Sequence, residues 1–176
     1  MIGTNGPVLD VTIDDATGAP QRPGLTTPFS PGPKSALAVS VAAAPWIPVT
    51  EVRVYVDGAL AKTVDVSSAF PTTTKAFSLE PLATLVTIPL ADLALPPGRD
   101  VWIVVEAGMH QDEPADDDDD GLPDLPDADV PTRPAATTDA RFDLEAIAPG
   151  VWPVAFTNPF LLDRDGVAGW QKPGLP

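Results

Sequence analysis

Ten of the 25 acidic side chains in this 176-residue chain fall between Asp112 and Asp129, with no Lys or Arg among them. Within that run, Asp116, Asp118, Asp120, Gly121, Asp124 and Asp127 fit the spacing Asp-x-Asp-x-Asp-Gly-x-x-Asp-x-x-Asp. Calcium is a hard cation that takes six to eight oxygen ligands, and carboxylates two residues apart in a tight loop can converge on one centre. A glycine at the sixth position allows the sharp turn that brings later ligands back. The carbonyl of Leu122 would be the fourth ligand, and Asp124 and Asp127 would close the shell. Five consecutive Asp satisfy the first three positions automatically, so Gly121, Asp124 and Asp127 are the independent support. The competing reading of the same residues is a solvated acidic linker, for which this composition is ordinary.

The spacing resembles the calcium-binding aspartate loops of EF-hands, dockerins and thrombospondin type 3 repeats. Its last ligand is Asp, as in the thrombospondin repeats, and not the Glu usual in EF-hands. A second phrase, Asp163-Arg164-Asp165-Gly166, starts in the same way but continues Val167-Ala168-Gly169 without a further acid. A polar turn between Leu162 and Trp170 is the favoured reading there.

Other chemistry is restricted by what the chain lacks. His110 is the sole histidine and there is no cysteine, so a multi-histidine zinc site and a thiol nucleophile are excluded. A Ser-His-Asp triad would have to use His110, and no Gly-x-Ser-x-Gly elbow, phosphate loop or dinucleotide-binding glycine pattern occurs. The expectation is a chain without an active site, with His110 a surface residue at a strand end. A net charge of -15 argues against nucleic acid as a partner, since phosphates call for Lys and Arg. No apolar run has the length of a membrane span. Trp46, Trp102, Trp152 and Trp170 could form a carbohydrate platform, but Trp102 sits in an apolar run that suits a core. Trp46 and Trp152, beside prolines, suit wedges at the ends of a sandwich.

The elements that must position these residues are strands. With 23 Pro and 13 Gly, long helices are disfavoured and short strands with many turns are favoured. Val8–Ile13 reads as a first strand and 17–34 as a loop. Ser35–Ala43 alternates Leu37, Val39 and Val41 against Ala38, Ser40 and Ala42. Val52, Val54 and Val56 alternate with Glu51, Arg53 and Tyr55; Asp57-Gly58 is a hairpin turn signal, and 59–66 is the return strand. Further strands are expected at 75–79, 85–89, 100–107 and 151–157, with a short helical turn at 92–95. The run Trp102-Ile103-Val104-Val105 suggests a central strand buried on both faces. The predicted fold is an all-β, Ig-like antiparallel β-sandwich of seven to nine strands, a single domain over 1–176, with an acidic, Pro-rich insertion loop at 111–138. The predicted core is Val11, Ile13, Leu37, Val39, Val41, Val52, Val54, Val56, Val64, Trp102, Val104 and Phe156.

Two longer segments, Ala44–Gly58 and Pro153–Gly166, with the opening Thr4-Asn5-Gly6-Pro7, carry a family resemblance. They are similar to the C-terminal region of bacterial metallohydrolases of the PHP superfamily, the CehA/McbA-like group. There an N-terminal metal-binding domain carries the catalysis, and a β-sandwich follows that ends near Ala-Phe-Thr-Asn-Pro and Asp-x-Asp-Gly phrases. Ala155-Phe156-Thr157-Asn158-Pro159 and Asp163–Gly166 match those phrases, whereas Val167-Ala168 departs from the usual continuation. None of the family's catalytic His or Asp positions has a counterpart here. The resemblance implies an accessory module that packs on a catalytic domain of a parent or partner protein. It also implies an extracellular or periplasmic setting, with any export signal upstream because Met1–Pro7 lacks one. Calcium is the expected cofactor. The alternative is a carbohydrate or cell-surface binding module.

Overall fold

The computed structural model describes residues 2–4, 6–24, 28–45, 47–71, 81–109, 153–167 and 169–172. Their elements are β1 (Ile2–Thr4), β2 (Val8–Asp14), β3 (Pro20–Gln21), β4 (Ala36–Ala43), β5 (Glu51–Val56), β6 (Ala59–Asp65), β7 (Leu82–Pro89), β8 (Val101–Gly108), β9 (Val154–Thr157) and β10 (Phe160–Leu162). Two short 3-10 turns, Ser67–Ala69 and Leu90–Leu93, join them, and no α-helix occurs among the described residues. The fold is an all-β sandwich of two antiparallel sheets. The larger runs β1-β9-β8-β5-β6, with β10 also on β8; the smaller runs β3-β2-β4-β7.

The hairpin signal at Asp57-Gly58 works as its chemistry requires. Both residues have positive φ, 51° and 89°, which a two-residue hairpin turn demands so that its twist matches that of the strands. Strands β5 and β6 then pair from Val56↔Ala59 to Glu51↔Asp65, with one irregularity between Val54 and Tyr55. In the smaller sheet, Leu9, Val11 and Ile13 stand opposite Val41, Val39 and Leu37. All six are completely or almost completely buried. The facing layer supplies Val52, Val54, Val56, Val101, Ile103, Val105, Ala107, Ala155, Phe160 and Leu162. Each large aliphatic side chain so placed contributes on the order of 2 kcal/mol of burial free energy.

Three of the expected core residues lie elsewhere. Strand β8 alternates, with Val101, Ile103, Val105 and Ala107 facing inward and Trp102, Val104 and Glu106 half-buried on the outer face. It is central by pairing, with β5 on one side and β9 and β10 on the other, yet only one of its faces meets the core. A two-layer sandwich leaves each sheet one outer face, so a run of consecutive apolar residues must place half of them there. Phe156 is 51% exposed while its neighbour Ala155 is fully buried, because Ala155 shares the inner face with Ala107 and Phe156 shares the outer face with Glu106. Val64 is half-buried and packs against the core from the edge strand.

The remaining expectations divide in the same way. The strand at 85–89 is the end of the longer β7, and the helical turn at 92–95 is a 3-10 turn ending at Ala94 (φ 48°). The 17–34 loop contains β3 and the bridging residues Phe29 and Pro31. The strand at 75–79, His110, Trp46, Trp152 and the insertion at 111–138 lie outside the described residues, as do Asp116, Asp118, Asp120, Leu122, Asp124 and Asp127. On either side of the insertion, Gly108 pairs with Val154. A Cβ on Gly108 would lie 2.3 Å from the Pro153 carbonyl oxygen, so only glycine permits that approach.

Candidate functional site

Asp100 immediately precedes β8 and is 2% exposed. A carboxylate that far from water must be matched by donors, and the loop following β10 supplies them. Its Oδ1 accepts the backbone N–H of Arg164 (2.7 Å) and of Asp165 (3.2 Å), and its Oδ2 accepts that of Gln171. Burial pushes the Asp100 carboxyl up. The three N–H donors and the Arg164 charge outweigh that effect, and its pKa lies below the ordinary value.

The loop itself is shaped by local polar chemistry. Asp165 Oδ1 accepts the Val167 N–H at 2.7 Å, closing a turn through Gly166 (φ 77°). The Arg164 guanidinium reaches across to donate to the Pro96 carbonyl at 2.7 Å, and Trp170 Nε1 donates to the Val101 carbonyl at 3.4 Å. The Asp163 N–H donates to the Phe29 carbonyl, which ties in the loop after β3.

This wrapping brings Asp100, Asp163 and Asp165 together, with one carboxylate oxygen from each lying within 4.8 Å of the others. Among the described residues it is the one group of three acids so placed. Oxygen ligands at that spacing suit a hard divalent cation. Asp100 is the anchor of the group, since both its oxygens already accept main-chain bonds, and Asp163 and Asp165 are half-buried. The phrase Asp163-Arg164-Asp165-Gly166 is thus the polar turn the sequence suggests, and in addition it is folded around a third carboxylate. Sequence reading missed Asp100 because it stands 63 residues before Asp163. The signal available was an acid set directly against an apolar run.

A second polar group lies on the outer face of the larger sheet. Arg53, 7% exposed, is held between Glu51 (3.2 Å) and Glu106 (3.0 Å). Burial and the Glu106 charge push the neighbouring Tyr55 hydroxyl's pKa up. Arg53 Nε is buried without a hydrogen-bond partner. Tyr55 stands opposite Val104, Trp102 opposite Leu161, and Phe156 opposite Glu106, so this face mixes aromatic rings with an acid–base–acid chain.

Compared with known proteins, the chain matches no family model, no curated protein and no solved structure. Nothing in those comparisons links it to the CehA/McbA-like proteins.

Proposed function

We propose that this chain is a non-catalytic, calcium-binding β-sandwich module, accessory to the catalytic domain of a secreted bacterial metallohydrolase-like protein. The single observation that carries the reading is the state of Asp100. The most deeply buried carboxylate of the acidic group is committed to three backbone N–H groups, so it serves to hold a loop and two further carboxylates in place. A group so used favours a structural ion over proton transfer, which needs a carboxyl with a pKa near the working pH. We read the chain path as immunoglobulin-like. Support comes from the strand orders β2-β4-β7 and β9-β8-β5-β6, which match the A-B-E and G-F-C-C′ arrangement of such sandwiches.

Two calcium loci follow from this reading: the Asp116–Asp127 segment, on spacing alone, and the Asp100/Asp163/Asp165 group. Calorimetric calcium titration of the whole chain separates them. Saturable heat lost in Asp120→Ala and Asp124→Ala assigns the ion to the segment. Heat lost in an Asp163→Asn/Asp165→Asn double variant assigns it to the loop around Asp100. No heat at millimolar calcium, the weak end for extracellular modules, overturns the calcium reading.

The rival reading is a carbohydrate or cell-surface binding module. The observation favouring it is the outer face of the larger sheet, where Phe156 is exposed and Trp102 and Tyr55 are half-exposed side by side with polar groups. Glycan-array binding abolished by Phe156→Ala would select it.

A further inference from the structure

Among the described residues the two sheets present five edge strands: β1, β6, β10, β3 and β7. Edges are sites of unwanted or wanted pairing, and proteins blunt them with short strands, charges or bulges. Four of the five are blunted. Strands β1 and β10 have three residues each and β3 has two. Strand β6 carries Lys62 and Asp65 and pairs with β5 through an irregular register. Strand β7 has only a proline at its last residue to blunt it: it is eight residues long, Leu-Ala-Thr-Leu-Val-Thr-Ile-Pro, without a charge.

The ladder fixes which of its backbone groups point outward. The Leu90 N–H donates to the Ser35 carbonyl, and the register runs in step from there, Leu37↔Ile88, Val39↔Val86 and Val41↔Thr84. Backbone N–H and C=O groups alternate sides along a strand. The even-numbered residues therefore bond β4, and Ala83, Leu85 and Thr87 turn theirs to the open edge. Among the described residues nothing pairs with that edge. Pro89, which has no N–H to offer, falls in the outward-facing phase, as prolines in edge strands do.

We propose that the outer edge of β7 is a strand-pairing surface whose occupant is β7 of a second copy, antiparallel about a two-fold axis at Leu85. This register puts Leu85 beside its own copy and Ala83 beside Thr87. Pro81 is set opposite Pro89, so no N–H is sought where none exists. Three outward donors on each strand give six inter-chain hydrogen bonds. An interface between identical copies must be self-complementary, and β7 meets the condition that matters most for a chain of net charge -15: the seam carries no charge to repel its like. A single strand pair buries little area, so the dimer is weak and concentration-dependent. Repulsion between the acidic bodies makes it stronger at high salt.

Sedimentation equilibrium on the full chain, at low and high salt, tests this. The wild type should shift from monomer to dimer with concentration, more readily in salt. The Leu85 side chain is 67% exposed, so Leu85→Lys and Leu85→Glu should both fold with unchanged thermal unfolding. Each should be monomeric, because the two-fold axis sets like charges directly opposite each other. An equimolar mixture of the two variants should dimerise again. A wild type that stays monomeric at its solubility limit overturns the proposal, as does a dimer that survives in both single variants. So does a mixture that fails to pair, which would remove the two-fold at Leu85. None of these outcomes depends on calcium.

Discussion

Asp15 and Asp100 are both carboxylates that organise a loop by accepting hydrogen bonds, and they differ in how far they are buried. Asp15, beside β2, accepts the Thr17 hydroxyl (2.6 Å), the Thr17 and Ala19 N–H groups (2.8 and 3.0 Å) and the Gln21 amide (2.7 Å), turning the chain into β3. These bonds, the Thr17 hydroxyl first, bring its pKa down to about 2. Asp100 accepts a comparable set of donors from a loop more than 60 residues away in sequence, but it works against burial, which opposes its charge. Water can replace the donors of Asp15. It reaches those of Asp100 less readily, because that carboxylate is almost fully covered, so a similar bond list has unequal weight in stability.

That contrast is broken most directly at Asp100. Asp100→Ala leaves three N–H groups without their acceptor in a partly buried site. It should cost about 3 kcal/mol, read as a lower urea midpoint at unchanged slope. If it unfolds no more easily than the wild type, burial is not what separates the two residues. Asp100→Asn keeps one oxygen acceptor and should lose about half as much. Acid unfolding comes next. Both carboxyls have folded pKa values below the ordinary 3.8, so the stability they add is complete above that value and falls away as pH drops through the lowered one. The wild type should lose stability as pH falls below 3.8, and Asp100→Asn should lose less. The smallest effect is expected at Asp15→Asn, with a midpoint close to wild type at neutral pH and a slightly flatter acid limb. A large neutral-pH loss there would mean the β2–β3 turn is integral to the sandwich and not an appendage.

Much of the sandwich was legible because its strands alternate. Val11 and Ile13, Leu37 through Val41, and Val52 through Val56 each announce an inner face by period two, and Asp57-Gly58 fixes the turn. Where alternation fails, so does the reading. Trp102-Ile103-Val104-Val105 is apolar on both phases, and only the pairing of Tyr55 with Val104 and Leu161 with Trp102 shows which phase is outside. The candidate site was half legible. Asp163, Asp165 and Gly166 spell a tight polar turn, but no local pattern points from that turn to Asp100. Their meeting is a consequence of β10 pairing with β8 at Leu162↔Val101, which carries the loop to the start of β8. Such juxtapositions are properties of topology, and a single sequence encodes them without any local periodicity.

The close approach of Gly108 to Pro153 has a consequence for how this chain can evolve. The Met109 N–H donates to the Pro153 carbonyl, and Gly108 pairs with Val154, so whatever chain joins the two ends leaves and re-enters at one point. Closing such a loop costs entropy that grows only logarithmically with its length, about 0.6 kcal/mol for each doubling. A clamp of this kind makes segment length nearly neutral to selection. Residues can accumulate, and acquire charge or partners, while the described strands on either side continue to fold under unchanged rules.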